Sequence, residues 1–171
     1  MKLHLGCGND YRGGYINCDV SKEVNPDKIV DLGKKLPFKE NSVSEIYSRH
    51  VFEHVGDLMG LMKEINRVCK KGAELHIIVP YFSHPGAFQD PTHKRFFTLR
   101  TFDYFDSDNS YSYYSNVRFK TINKKLTTFV LRKKLSNILD FFINKNQILY
   151  ERFFSRIFPV EEMEIILSVK K

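Results

Sequence analysis

Short apolar runs separated by turn residues dominate the first eighty positions of the chain. Five such runs predict β-strands, at residues 2–5, 15–19, 29–31, 45–48 and 75–79. Between the last two, apolar side chains recur at a spacing near 3.6 and predict an amphipathic helix over 57–71, with Gly72 as its stop. Strands followed by helical segments are typical of an α/β protein with a mostly parallel sheet.

The second half of the chain has a different pattern. Residues 81–116 are irregular and rich in aromatic side chains, which argues for an ordered functional connection, with a short helix starting at Thr98. A sixth strand is predicted within 117–130, helical structure over 131–158, and a closing antiparallel strand at 163–169.

The turn after the first strand is the most informative local feature. Gly6 and Gly8 allow a backbone to approach a ligand closely, and Asp19 ends the next strand, where its carboxylate can accept hydrogen bonds from a ribose diol. A dinucleotide fingerprint is not present, since Tyr11 stands where the third glycine is needed, and no P-loop sequence occurs. These residues predict a site for an adenosine-like ligand.

The motif series resembles the type-11 subgroup of class I S-adenosylmethionine-dependent methyltransferases. The resemblance begins with Leu3-His4-Leu5-Gly6-Cys7-Gly8-Asn9 and continues in order with Asp31-Leu32, Leu36-Pro37-Phe38, Asn41-Ser42, and His50-Val51-Phe52-Glu53-His54-Val55. It covers about the first half of the chain and implies a Rossmann-like fold with S-adenosylmethionine as cofactor. An ordered series of motifs is far more specific than any one of them.

The resemblance also implies which residues contact the cofactor. The glycine turn would line the methionine and ribose, Asp19 would bind the ribose hydroxyls, and Asp31 with the Leu32 amide would meet the adenine. The full predicted set is Gly6, Cys7, Gly8, Asn9, Asp19, Val20, Asp31, Leu32, Ser48, Arg49 and His50.

One feature departs from the family's usual pattern. Only residues 6–14 join the first two predicted strands, whereas a parallel crossover normally needs a dozen or more residues with a helix. The predicted fold is therefore a Rossmann-like methyltransferase sheet with an antiparallel last strand and a shortened first crossover. We expect one domain over 1–171, comprising a cofactor half (1–80), a substrate-side loop (81–116) and C-terminal strands and helices (117–171).

Candidate catalytic residues lie in the substrate-side loop, beyond the carboxyl end of the fifth strand, where ligands of open α/β sheets bind. There, His93 or His84 could act as a general base for a hydroxyl acceptor, with Asp90 beside them. Two alternatives remain open: the three residues bind a metal, or Asp90 and His93 only brace the loop. The segment from His50 to His54 matches a zinc-protease pattern, but the methyltransferase series explains it better, and no metal is predicted.

Composition narrows the possible partners. Of the 171 residues, 42% are hydrophobic and 27% are charged, which is typical of a globular protein. The net charge of +7 favours an anionic partner. No signal sequence or bilayer-spanning run is apparent, and the three cysteines lack metal spacing, so a cytoplasmic location is expected. Basic and aromatic residues in 131–158 favour core packing, with peripheral membrane contact as the alternative.

The predicted function is methyl transfer from S-adenosylmethionine to a small-molecule acceptor. From the resemblance and the candidate base, a hydroxyl of a sugar, glycan or lipid-linked glycan is the expected acceptor. The asparagine-proline-proline-tyrosine motif of amino-group methyltransferases does not follow the fourth strand, which argues against DNA adenine methylation. The alternatives are a non-catalytic cofactor-binding module and a basic nucleic-acid-binding protein; no nucleic-acid signature supports the latter. The sequence does not indicate an oligomeric state.

Overall fold

The computed structural model of the chain describes residues 1–108, 116–128 and 133–171, with only the backbone for 133–134. Seven strands are present in it: β1 (Lys2–Leu5), β2 (Ile16–Asp19), β3 (Lys28–Ile29), β4 (Val43–Arg49), β5 (Cys69–Pro80), β6 (Arg118–Thr127) and β7 (Glu162–Lys170). The α-helices are α1 (Leu58–Val68), α2 (Gly86–Gln89), α3 (Lys133–Lys145) and α4 (Gln147–Leu149), with short 3₁₀ helices at Phe52–His54 and Thr101–Phe105. Parts of the predicted 81–116 and 131–158 segments, at 109–115 and 131–132, lie outside the described residues.

The strands form one sheet in the order β3-β2-β1-β4-β5-β7-β6. β1 to β5 are parallel to one another, while β7 lies between β5 and β6 and is antiparallel to both. The order reverses at β1, so the carboxyl ends of β1 and β4 flank the point where an open sheet forms its ligand crevice. The predicted α/β fold with an antiparallel last strand is confirmed.

The first crossover is as short as the sequence indicates. β1 and β2 pair in parallel, with Leu3 opposite Ile16, yet residues 6–15 between them contain turns and no helix. The chain turns back because Gly6 and Gly8 adopt positive φ angles of 67° and 49°. The glycine turn therefore sits directly against the end of β2 without a helix covering it.

The boundary between α1 and β5 differs from the prediction. The helix ends at Val68 instead of 71, and β5 begins at Cys69, which pairs with Val43 of β4. The register shifts between Val43 and Glu45, and Gly72 adopts a φ of 78° beside this shift. Gly72 therefore accommodates a β-bulge and is not a helix stop, because strand pairing outweighs local helical preference here.

The core lies between the sheet and α1. The apolar face of α1 is buried, as its spacing predicts, and the helix begins at Asp57, whose Oδ1 accepts a hydrogen bond from the Gly60 amide at 2.8 Å. Leu3, Ile46 and Leu75 supply fully buried side chains from three neighbouring strands. This packing holds the carboxyl ends of the central strands in fixed positions.

The C-terminal helical segment is interrupted. Helix α3 stops at Lys145, and Asn146 adopts a non-helical conformation from which its side chain caps α4 through the Leu149 amide at 3.1 Å. A π-helical turn at Tyr150–Phe154 follows. Among the described residues, no helix is both long enough and apolar enough to cross a bilayer.

Candidate functional site

A cleft of about 480 Å³ opens at the carboxyl ends of β1, β2 and β4. We call it the glycine-turn cleft. Seven of the predicted ligand-contacting residues line it: Gly6, Gly8, Asp19, Val20, Asp31, Leu32 and His50. They converge because parallel strands bring their carboxyl ends to one edge of the sheet.

The floor of the cleft depends on a glycine at position 6. A Cβ built on Gly6 would lie 2.9 Å from Cγ1 of Val51 and closer still to Cγ2. Val51 follows β4, so the turn after β1 is pressed against the segment after its neighbour. The absence of a side chain is what allows this contact and keeps the cleft open.

Asp19 ties the glycine turn to the end of β2. Its Oδ2 accepts a hydrogen bond from the Gly8 amide at 2.9 Å, and its Oδ1 accepts one from the Ser21 amide at 2.9 Å. Each carboxylate oxygen has a further lone pair, so Asp19 can still accept hydrogen bonds from a diol in the cleft.

Asp31 also lines the cleft. Its Oδ1 accepts a hydrogen bond from the Gly33 amide at 2.9 Å, and Lys34 approaches its Oδ2 at 3.2 Å. The Gly33 hydrogen bond, followed by the Lys34 contact, lowers the pKa of Asp31 from its usual value. Asp31 is therefore an ionised acceptor at neutral pH.

Four residues of the predicted set do not line the glycine-turn cleft. Ser48 is fully buried, and its Oγ donates to the Leu5 carbonyl oxygen at 3.0 Å, which joins β4 to β1. Arg49 pairs with Glu162 at 2.6 Å. Cys7 is buried beneath the turn and Asn9 points to solvent. Ser48 and Arg49 point to opposite faces of the sheet at the end of β4, and neither lines the cleft, whereas His50, the residue after the strand, does.

The sequence reasoning missed other lining residues. They are Cys18, Val30, Gly33, Val51, His54, Val55, Gly56 and Lys94. Two signals were available: Val51, His54 and Val55 belong to the segment matched to the methyltransferase series, and Lys94 follows His93 in the loop singled out for catalysis. Neither signal indicates from the sequence that the two segments meet.

His50 connects the cleft to the C-terminal strand. It has a positive φ of 54°, and its Nε2 lies 2.7 Å from Oε1 of Glu162, the first residue of β7. Glu162 and then Glu53 raise the pKa of His50 to about 9, while His50 in turn lowers the pKa of Glu162. His50 is therefore a cation at neutral pH.

A second cavity, of about 360 Å³, adjoins the first. We call it the histidine cavity; its lining is His50, Glu53, His54, Pro80, His84, Gly86, Gln89, Asp90, His93 and Glu161. Because His50 and His54 line both cavities, a ligand in one would meet a ligand in the other at these two side chains. The three candidate catalytic residues all lie in the histidine cavity.

The ring of His93 is held in one tautomer. Its Nδ1 lies 2.8 Å from the Ala87 carbonyl oxygen, which can only accept, so Nδ1 carries the proton in the neutral ring. Its Nε2 then carries a lone pair, and the nearest carboxylate oxygen, Oδ2 of Asp90, is 3.9 Å away. His93 thus presents a hydrogen-bond acceptor to the cavity.

His84 has the opposite arrangement. Its Nδ1 accepts a hydrogen bond from the Gly86 amide at 3.0 Å, which leaves Nε2 as the protonated nitrogen of the neutral ring. His84 can therefore donate to a bound ligand, whereas its lone pair is already used.

The loop that carries these residues is anchored across the sheet edge. The Lys94 amide donates to the Glu53 carbonyl oxygen at 2.8 Å, and Nε of Arg95 donates to the Val55 carbonyl oxygen at 2.8 Å. The substrate-side loop therefore packs on the 3₁₀ helix at Phe52–His54 and closes the histidine cavity.

The C-terminal helices present a separate apolar surface, which we call the helical apolar patch. Ile143 and Tyr150 are buried, but Leu135, Ile138 and Phe142, which the helical spacing also predicts to face the core, are exposed. The exposed apolar side chains are Leu135, Ile138, Phe141, Phe142, Ile148, Leu149, Phe153, Phe154, Ile157 and Phe158. Core packing therefore accounts for only part of the apolar pattern in 131–158.

Comparisons with known proteins agree with this geometry. Residues 3–77 match a family model described as a methyltransferase domain. The fold is similar to the YcgJ protein of Bacillus subtilis (TM-score 0.63, 15% identity, covering 99% of this chain and 91% of that one). It is also similar to an S-adenosylmethionine-dependent methyltransferase of Archaeoglobus fulgidus (TM-score 0.60, 17% identity, covering 98% of this chain and 85% of that one).

A third similar structure is a phosphoethanolamine N-methyltransferase of Haemonchus contortus in complex with S-adenosylmethionine (TM-score 0.57, 15% identity, covering 99% of this chain and 48% of that one). At such identities the structural likeness establishes the fold. None of the curated proteins matches the chain.

Proposed function

We propose, from the premise that the chain is a class I S-adenosylmethionine-dependent methyltransferase, that its acceptor is a small molecule methylated on a hydroxyl. A sugar, a glycan or a lipid-linked glycan fits best. The observation that carries this proposal is the meeting of two cavities at His50 and His54, one lined by the glycine turn and the other by histidines.

The glycine-turn cleft fits the cofactor by three features. Gly6 leaves space that a Cβ would fill, the Asp19 carboxylate has lone pairs left for ribose hydroxyls, and the Leu32 amide donates to no described residue, so it is available to adenine. S-adenosylmethionine supplies an activated methyl group when it is bound. The protein's task is then to hold the acceptor in line and to remove a proton.

The histidine cavity suits a hydroxyl acceptor because it offers both a donor and an acceptor of hydrogen bonds. Nε2 of His93 would accept the hydroxyl proton, and Asp90, whose Oδ2 is 3.9 Å from that nitrogen, would stabilise the resulting cation. His84 would orient the acceptor by donating from Nε2. A volume of about 360 Å³ suits a sugar-sized group better than a macromolecular segment.

The test is methyl transfer to a panel of methyl glycosides and matched amino sugars. We expect transfer to hydroxyls, and we expect His93→Ala to lower kcat by roughly 100-fold or more while S-adenosylhomocysteine affinity is unchanged. His76→Ala is the control, since His76 pairs with Glu74 on β5 and lies outside both cavities. Transfer to amines alone, or full activity of His93→Ala, would contradict the proposal.

A lipid-linked acceptor is supported by the helical apolar patch. Phe141 and Phe142 are each 65% exposed and Phe153 is 62% exposed, and exposed basic side chains, including Lys145 and Arg152, accompany them. Aromatic side chains beside basic ones favour the interface of an anionic membrane. The patch would then bring the protein to a membrane-bound glycan.

Vesicle sedimentation tests this part separately. We expect binding to phosphatidylglycerol vesicles, weaker binding to phosphatidylcholine vesicles, and loss of binding in Phe153→Asp. Ile122→Asp is the matched control, because Ile122 is 55% exposed on β6 outside the patch. Equal loss in both variants would show that added charge, and not the patch, is responsible.

A further inference from the structure

Glu53 is the most unusual polar side chain among the described residues of the two cavities. It is only 1% exposed, and neither of its carboxylate oxygens has a hydrogen-bond partner among them. Its one described ion pair is with His50, whose Nδ1 lies 3.5 Å from Oε1. This ion pair leaves both buried oxygens without a hydrogen bond, so Glu53 has lone pairs free for a further partner such as a bound cation.

Two histidine rings near Glu53 each have one nitrogen without a described hydrogen-bond partner. The Thr92 hydroxyl donates its single proton to Oδ1 of Asp90 at 2.6 Å, so its contact with Nδ1 of His54 at 2.9 Å requires the His54 ring to be the donor. Nε2 of His54 then carries a lone pair and bonds to no described residue. The same holds for Nε2 of His93, whose Nδ1 donates to Ala87.

We propose that Glu53, His54 and His93 form a binding site for a divalent transition-metal ion. One possible ligand atom from each of the three residues lies within 4.8 Å of the other two. Glu53 and His54 belong to the 3₁₀ helix after β4, and His93 belongs to the loop that packs on this helix. Two neutral histidines and one carboxylate are a set that suits zinc, iron, cobalt and manganese and leaves positions open for substrate. This set differs from the zinc-protease pattern, which needs His50.

The surroundings of these ligands resemble those of metal-binding histidines. Such histidines almost always donate their second ring nitrogen to an oxygen, which fixes the tautomer. Here Thr92, itself held by Asp90, orients His54, and the Ala87 carbonyl orients His93. Ligands of a tetrahedral ion about 2 Å away lie roughly 3.3 Å apart, so side-chain rotation by about 1–1.5 Å completes the site.

The position of the metal site indicates a role for the cation in methyl transfer, and this role rests on the proposed function. His54 lines both cavities, so a cation there lies where the cofactor and the acceptor meet. The open coordination positions would bind the acceptor hydroxyl oxygen and lower its pKa. With the cation bound, the lone pair on Nε2 of His93 is used for coordination, so His93 would not be the proton acceptor as it is in the metal-free protein, and the hydroxyl proton would pass to solvent.

Cobalt binding tests the site directly. Tag-free protein is treated with chelator, titrated with Co²⁺ and followed by its visible absorption, then back-titrated with Zn²⁺. We expect one equivalent of bound Co²⁺ that Zn²⁺ displaces. Glu53→Gln, His54→Gln and His93→Gln should each weaken binding by roughly 100-fold or more, beyond the 10–100-fold typical of changes in outer-shell residues.

Controls separate this inference from misfolding and from the proposed function. His76→Gln should bind Co²⁺ as the wild type does, because His76 lies outside the cavity. Circular dichroism and the urea midpoint, measured on every variant, report folding; S-adenosylhomocysteine affinity is not used for this, because His54 also lines the glycine-turn cleft. Stoichiometric Co²⁺ binding that all three variants lose supports the site even if no hydroxyl is methylated. Absence of binding at 1 mM Co²⁺, or equal binding by Glu53→Gln, overturns it.

Discussion

Replacing Gly6 by alanine isolates the contact that shapes the glycine-turn cleft. The new Cβ would stand 2.9 Å from Cγ1 of Val51 and closer to Cγ2, and the residue would keep a φ of 67°. Gly8→Ala is a matched control, since Gly8 also has a positive φ, of 49°, but no atom lies within 4 Å of its added Cβ.

The two substitutions share one cost and differ in another. A non-glycine residue in the left-handed region loses roughly 1–2 kcal/mol, which both variants incur. Overpacking typically costs a further 1–3 kcal/mol, roughly, and only Gly6→Ala incurs it. We therefore expect Gly6→Ala to lower the free energy of unfolding by about 2–5 kcal/mol and Gly8→Ala by about 1–2 kcal/mol.

Urea denaturation of the single and double variants measures both the backbone cost and the overpacking cost. Val51→Ala removes both γ-methyl groups, so the combined variant should recover the steric part, with a coupling of roughly 1–3 kcal/mol. S-adenosylhomocysteine titration should show the same order of effects on affinity. The reasoning is refuted if Gly6→Ala is as mild as Gly8→Ala, or if the effects of Gly6→Ala and Val51→Ala simply add.

Three further outcomes follow from described contacts. Asp19→Ala should weaken S-adenosylhomocysteine binding at least tenfold by calorimetry, since a hydrogen bond to a charged group contributes roughly 1.5–3 kcal/mol; unchanged affinity would exclude Asp19 from the cofactor site. Burial raises the pKa of Cys18 and of Cys69 to about 12, so Ellman's reagent at pH 8 should modify neither until urea unfolds the protein. Tyr81→Phe should destabilise the fold by about 1–3 kcal/mol, because the buried Tyr81 hydroxyl donates to Glu151 at 2.6 Å; a urea midpoint like that of the wild type would contradict this.

Local sequence patterns were sufficient to predict most of the fold of residues 1–80. The alternation of strands and turns, the apolar face of α1 and the glycine turn each depend on residues close together in the chain, and the structure has them at the predicted places. The sequence also predicted the missing first helix, because nine residues are too few for a parallel crossover that contains one.

Element boundaries and breaks were less visible. β5 begins at Cys69 because Cys69 pairs with Val43 of β4. The bulge at Gly72 is a consequence of this pairing, so the sequence near Gly72 does not predict it. The interruption of the C-terminal helix at Asn146 was also missed, since the apolar period continues through it. Strand pairing with Val43 overrides the helical preference at Cys69, and the Asn146 cap interrupts the helical period in the C-terminal segment.

The sequence by itself was enough to predict the fold class, S-adenosylmethionine as the cofactor and seven of the residues that line the glycine-turn cleft, because glycine turns and strand-end acids act through local backbone geometry. Only the tertiary structure decided that Ser48 and Arg49 point away from the cleft, that the helical apolar patch stays exposed, and that His93 lies beside Glu53 and His54. About forty residues separate His93 from His54, and their segments are joined by the backbone hydrogen bond from Lys94 to Glu53 and by side-chain hydrogen bonds of Thr92 with His54 and of Arg95 with Val55. Polar residues such as Thr92 and Arg95 occur throughout the chain, and the local sequence does not specify which of them meet, so the tertiary packing decides this site.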